Sequence, residues 1–359
     1  MTHDRVRRVS TYGWVIGTVA ALLALACGIL APDAFFPAYL ASITALSTLA
    51  IGCLPVLMIL TLVPGKPSVS LRPALEAGLA TIPVVAVLFV PVLIGLAWIY
   101  PWAQSPGGGN ATAFRAVWLW SPAFIVRTIL YFGVLTSFGW GYLRAASTEA
   151  RKRIAIAGLI FYAVLTTFAG IDWLLSIEPK FHSSIFGLMV ISQQMLGGLA
   201  LAVFVTLLRT RSNEELLKGV GGLLISTILL WAYLHAMQFI IIWAGDLPLE
   251  VEWYLSRGDG VWAVLLCLLA LCQGFGPFLL LLFSKVRESR RWLITIAAAT
   301  IVMRFVETAW LVLPARMGSP VATTVSLTVS IVATGCLWLA AVLIVLGRTP
   351  ARSPEPDDA

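Results

Sequence analysis

Ten apolar runs of about twenty residues succeed one another along this chain, and little sequence is left over to fold into anything else. They cover 12–30, 38–62, 79–99, 117–140, 154–174, 185–208, 219–243, 261–283, 292–313 and 323–346. A helix rises about 1.5 Å per residue, so each run can cross a hydrocarbon core roughly 30 Å thick. Lipid offers no hydrogen bonds to the backbone, which leaves helices and closed barrels as the spanning structures. A barrel would show short alternating segments, and none dominate here. The expected fold class is therefore all-α: a polytopic membrane protein with about ten transmembrane helices, arranged as two four-helix bundles plus peripheral helices. Only 11% of residues are Asp, Glu, Lys or Arg, against about 25% in an ordinary soluble domain.

Charge sets the expected orientation. Of the 24 Lys and Arg, eighteen fall on the side of the N-terminus when the runs alternate. Four (Arg115, Lys180, Arg257 and Arg316) fall opposite, and Arg127 and Arg304 lie inside runs. By the positive-inside rule both termini are cytoplasmic. The expected organisation is a cytoplasmic segment 1–11, an integral membrane domain 12–346 and a disordered cytoplasmic tail 347–359. The first run follows Arg5, Arg7 and Arg8, as a signal peptide would, but its length favours a retained helix. The net charge of +7 reflects this topology and not nucleic-acid binding. The connections 100–116 and 244–260 read as the long outer loops, the first flexible and the second carrying interfacial Trp253 and Tyr254.

The chain lacks the motifs of several enzyme classes. There is no GxxxxGK, no HExxH and no convincing catalytic triad. Cys27, Cys53, Cys267, Cys272 and Cys336 lie in apolar runs, without CxxC, CxxCH or a cluster-binding spacing. No metal ligand set is assigned. His235 is the only histidine inside a run, so a bis-histidine haem has no second ligand.

Charges at membrane depth are costly and normally face a protein interior or an aqueous cavity. Arg127, Asp172, Arg304 and Glu307 stand out, with His235 and the glutamines Gln193, Gln194, Gln238 and Gln273. Arg304 and Glu307 share a helix face three residues apart; they read either as a proton-linked ionic site or as a structural ion pair. Asp172, just inside the end of the fifth run, reads either as a proton acceptor or as an anchor for the next loop. Arg127 can compensate either acid. His235 reads as a proton-exchanging donor or as a packing hydrogen bond. Gly197 and Gly198 allow close helix approach.

Several of these positions lie in longer motifs: Ile171-Asp-Trp-Leu-Leu-Ser-Ile-Glu-Pro-Lys-Phe-His-Ser-Ser-Ile-Phe-Gly187, Trp231-Ala-Tyr-Leu-His-Ala-Met-Gln-Phe239 running on to Gly-Asp-Leu-Pro-Leu-Glu250, and Trp253-Tyr-Leu-Ser-Arg257. Arg127-Thr-Ile-Leu-Tyr131 and Arg304-Phe-Val-Glu307 extend the pattern across the fourth to ninth runs. Here the chain resembles the polysulfide-reductase NrfD-like membrane family, most closely the ActF-type membrane subunit of alternative complex III, a quinol:cytochrome c oxidoreductase. It departs from that family at Lys180-Phe-His182 and at Asp246, where Asn is frequent.

The resemblance implies a membrane subunit of a respiratory complex in a bacterial inner membrane, supporting quinol access, proton exchange or energy coupling. It implies as partners a homologous NrfD-like membrane subunit, an iron–sulfur subunit and cytochrome c subunits. Iron–sulfur clusters and haem c are expected in those partners, with none bound by this chain beyond contact with a quinone or quinol. Arg127, Asp172, His235, Arg304 and Glu307 are the proton-relay or ionic candidates. Trp173, His182, Gln238, Asp246, Glu250 and Arg257 are the candidates near quinone or at the assembly face. Two other functions stay open on the residues alone: a proton-coupled secondary transporter and a structural membrane anchor of a redox complex.

Overall fold

The computed structural model describes residues 3–104, 117–210 and 213–348. The connection around 105–116 and the tail from 349 lie outside the described residues, with the expectations made for them. Ten helices in the described residues are long and apolar enough to cross a membrane, and the chain is a multi-pass all-α membrane protein.

The elements are α1 (His3–Leu30), α2 (Pro32–Leu62), α3 (Lys66–Ala80), α4 (Ile82–Leu88), α5 (Val90–Ile94), α6 (Leu96–Ile99) and α7 (Pro101–Gln104). They continue with α8 (Ser121–Arg144), α9 (Thr148–Trp173), α10 (Phe186–Arg209), α11 (Glu214–Gly245) and α12 (Pro248–Leu255). Then come α13 (Gly260–Leu269), a π-helical turn (Ala270–Phe275), α14 (Gly276–Leu282), α15 (Ser284–Arg287), α16 (Arg290–Val312) and α17 (Pro320–Arg348).

Two four-helix groups are visible in the packing. One gathers α2, α3 with α4, α8 and α9; the other gathers α10, α11, α13 through α14, and α16. α1 packs chiefly on α17 at the periphery. The two groups are fused through α2, which lies against both α10 and α16. Every residue of α2 from 34 to 58 is buried, as expected of a helix apolar all round at the centre of a bundle. Its crossing with α10 is backbone on backbone. A Cβ at Gly198 would stand 2.2 Å from the Gly52 carbonyl carbon, and one at Gly52 would stand 1.8 Å from the Gln194 oxygen. Gly198 was legible as a close-approach residue; its counterpart Gly52 was not.

Three expectations need correction. The third crossing starts at Lys66, not residue 79, because Pro67 opens the helix and Leu71, Ala74 and Leu75 are buried. It then breaks at Thr81, Phe89 and Gly95; Pro83 and Pro91 lack the N–H that would continue the ladder. The fourth runs 121–144, not 117–140, because Pro122 sits in its first turn, where the missing N–H costs nothing. The connection 244–260 holds helix α12, not only loop. Asp246 caps α11 with φ of 42°, a left-handed geometry that Asn, Asp and Gly tolerate best.

Contacts define the two ends of the bundle. At one end Lys66 pairs with Glu215, and Lys218 with Glu214 and Glu288. At the other, Arg257 joins Glu178 and the Leu311 carbonyl. The π-turn interrupts the eighth crossing just before Pro277, whose missing N–H disrupts the regular ladder there.

Candidate functional site

Three buried polar clusters occupy the half of the molecule nearer the Arg257 end. The first lies within the α2–α9 group. Asp172 is fully buried in the last turn of α9, a helix whose start is fixed by Ser147 accepting from the Ala150 N–H. Its Oδ1 accepts from Trp118 Nε1 (2.9 Å) and Arg127 Nη2 (3.0 Å). Its Oδ2 accepts from Arg127 Nε (2.8 Å) and the Tyr131 hydroxyl (2.7 Å). The guanidinium also lies over the Trp118 ring, 4.3 Å from its centroid. Every lone-pair direction of the carboxylate is used, so Arg127 pairs with Asp172 and not with Glu307. Trp173 is buried beside it, donating to Thr128 Oγ1 (3.2 Å) and stacking on Phe132.

The second cluster brings α10, α11 and α16 together around Glu307. Glu307 Oε1 accepts from Gln193 Nε2 and Trp231 Nε1, each at 2.8 Å. His235 Nε2 lies 2.9 Å from the same oxygen, and Arg304 Nη1 lies 2.5 Å from Oε2. Arg304 and Glu307 therefore form the i,i+3 pair read from their spacing. His235 Nδ1 lies 2.8 Å from the Trp231 carbonyl, which can only accept, so Nδ1 carries a hydrogen. A neutral imidazole then presents a bare lone pair at Nε2, and two lone pairs do not meet at 2.9 Å. His235 Nε2 and Glu307 Oε1 are therefore within reach of proton exchange. The Gln193 contact with His235 at 3.5 Å is too long to compete.

This histidine–carboxylate pair borders a cavity of about 520 Å³. Trp231, Ala232 and Phe239 of α11 form one wall, Leu266, Gly274 and Phe278 another, and Trp253, Tyr254 and Trp310 the end. The lining is almost wholly apolar apart from His235 and Glu307. His235 is 21% exposed and Glu307 only 3% at their side chains, so the imidazole meets the cavity and the carboxylate stands behind it. Leu229, Phe239, Leu266 and Phe275 are exposed at its rim, which opens the cavity sideways between α11 and α13–α14. Size and lining match a site for a largely apolar organic molecule with one polar anchor.

The third cluster is a clamp over that cavity. Arg257 is buried; it donates to the carbonyls of Trp253 (3.0 Å) and Leu311 (2.9 Å), to Ser256 Oγ (3.1 Å) and to Glu178. Its guanidinium lies 3.9 Å above the Trp253 ring. Burial pulls the Arg257 guanidinium below its ordinary range, and Glu178 opposes that pull. Burial also pushes the Tyr254 hydroxyl up, so it stays protonated at the cavity end. The remaining candidates rim this face. Gln238 is buried and accepts from Ser183 (2.6 Å). His182, mostly exposed, lies 3.6 Å from Glu250. Asp246 is exposed at the α11 cap.

Sequence reading named Arg304, Glu307 and His235 but not how Trp231 and Gln193 hold the carboxylate, nor the roles of Trp118 and Tyr131 at Asp172. Trp231 and Tyr131 lay in the motifs and Gln193 among the glutamines singled out, while Trp118 carried no signal; only the fold aims them.

The fold and this site define a multi-pass, all-α membrane protein with an aromatic cavity and, at its wall, a histidine paired with a buried carboxylate. No protein-family model and no curated protein sequence matches the chain.

Proposed function

We propose that the chain is a membrane subunit of a quinol-oxidising respiratory complex of a bacterial inner membrane, with the quinol headgroup bound in the cavity beside His235. The observation that carries this reading is the His235–Glu307 pair at the wall of an aromatic cavity with an exposed apolar rim. A hydroquinone is a flat, largely apolar ring with hydroxyls to anchor, and its tail needs a lateral opening into the bilayer. The motif resemblance to NrfD-like subunits supports the same assignment.

Hydroquinone oxidation yields the quinone, two protons and two electrons. The imidazole turns Nε2 from Glu307 to the cavity to accept one ring-hydroxyl proton, turns back to pass it to Glu307, and the second follows after the first has left. Arg304 offsets the carboxylate charge between transfers. An iron–sulfur or haem centre of a partner subunit would take the electrons. Asp172, with all its acceptor sites filled, serves as the anchor of its bundle in this scheme. The Arg257 face would meet the partners.

Gentle native purification, with subunit mass spectrometry and visible spectroscopy on one sample, tests the assignment. Co-purification with a homologous membrane subunit, an iron–sulfur subunit and haem c is the expected result. A stable chain without redox partners, showing saturable solute uptake, would overturn it in favour of a transporter.

A further inference from the structure

Beyond the cavity, on the side of Glu307 away from the Arg257 clamp, three buried polar groups stand without an account. The Gln273 side chain is fully buried, and both its amide oxygen and nitrogen lack a hydrogen-bond partner among the described residues. Thr300 is fully buried with its hydroxyl in the same condition. Arg304 approaches Glu307 closely through Nη1, yet none of its three nitrogens makes an aligned hydrogen bond among the described residues. Nε and Nη2 are left without a partner beyond that ion pair among the described residues.

The fold packs the elements that carry these groups against one another. Thr300 and Arg304 are one turn apart on the same face of α16. Gln273 sits in the π-turn, which packs against both α16 and α11. The Trp231 ring lies against both elements. The Arg304 guanidinium lies 5.8 Å from its centroid, and a Cβ on Gly274, next to Gln273, would stand 3.3 Å from its Cζ3. Trp231 also donates to Glu307, so these elements adjoin the His235–Glu307 pair.

Buried polar groups are almost always satisfied by protein or by ordered water. Here the site offers acceptors from the Gln273 amide and the Thr300 hydroxyl, and donors from all three residues. An anion would use only the donors, and Glu307 already balances the Arg304 charge. Water uses both kinds and needs two to four polar partners. We infer that Gln273, Thr300 and Arg304 enclose an internal water site adjoining Glu307. Seven residues separate Thr300 from Glu307, so the site extends roughly 10 Å along α16 toward the membrane interior. Resting on the quinol reading above, it is the path by which protons leave Glu307. The π-turn is what carries the Gln273 amide to the site.

The hydration is tested apart from turnover. The protein in its native assembly, or in lipid nanodiscs, is imaged by electron cryomicroscopy at a resolution that shows ordered water. Water density within hydrogen-bond distance of at least two of the three side chains supports the site, whether or not quinol is oxidised. Direct side-chain pairing, or a dry contact, overturns it. A second test is Thr300→Val, which removes the hydroxyl at constant shape. A hydrated site predicts a lower thermal midpoint, because a water loses a partner; an unchanged or raised midpoint overturns it. For the proton path, Gln273→Leu is expected to lower quinol turnover at least tenfold with an unchanged KM and an enlarged solvent isotope effect. Unaltered turnover with water density present would retain the water site and remove its transport role.

Discussion

Asp172→Asn isolates the structural weight of the first polar cluster, since Asn keeps the shape and removes the charge. In the wild type, two bonds from Arg127 and one each from Trp118 and Tyr131 end on the carboxylate. Asn can still accept at one oxygen from Trp118 and Arg127 Nη2. Its amide nitrogen now faces Arg127 Nε, donor against donor, while the Tyr131 hydroxyl can rotate to accept. The net loss is one charge-assisted bond, worth about 1.5–3 kcal/mol, and the counter-charge of a guanidinium whose side chain is only 17% exposed. Breaking a buried pair from one side costs about 3–5 kcal/mol. Together these give an expected destabilisation of about 3 kcal/mol. Reversible unfolding in mixed micelles with increasing SDS measures it. The double variant with Arg127→Met is expected to recover much of the loss, because the stranded charge goes too. A change below about 1 kcal/mol in the single variant would refute the buried-pair reasoning.

Three further perturbations follow from the packing. Gly198→Val should abolish accumulation of folded protein, read by size exclusion from membranes, because α2 and α10 cannot separate without losing the centre of the bundle; normal accumulation would contradict that crossing. Arg257→Lys should cost about 2–3 kcal/mol, since one ammonium cannot bridge Glu178 and the carbonyls of Trp253 and Leu311 together; faster amide exchange confined to α12 is the signature, and unaltered exchange counts against the clamp. Ala232→Phe should fill the cavity and weaken a quinone-analogue inhibitor at least tenfold with little change in thermal midpoint, whereas retained inhibition would place the binding site elsewhere.

The ten crossings were legible because lipid demands long apolar runs, and apolar length is written directly in sequence. Proline positions explain the misplaced ends: Pro67 and Pro122 open helices where hydropathy alone does not. Arg304 and Glu307 were legible as partners since they share one helix face. The partner of Arg127 was not, because Asp172 and Glu307 both offered a charge and only the packing of α8 on α9 decides between them. Trp231 and Gln193 were out of reach for the same reason: each points at Glu307 from a different helix. The π-turn before Pro277 left no periodic signal, as one inserted residue inside an apolar run looks like more of the same. The helix in 244–260 was hidden by its polar composition, although Pro248 at its first turn marks its start.

Of the two buried acids, Asp172 is held as an anchor and Glu307 is set beside a cavity. Quinol turnover by the native assembly carrying Glu307→Gln, compared with Asp172→Asn assembled to the same level, tests that division directly. Loss of a positioned proton acceptor costs about 10²–10⁴ in rate, so Glu307→Gln is expected to fall at least a hundredfold, by that range, while Asp172→Asn stays near wild type. Full turnover in Glu307→Gln, in an assembly confirmed intact, would contradict the central claim.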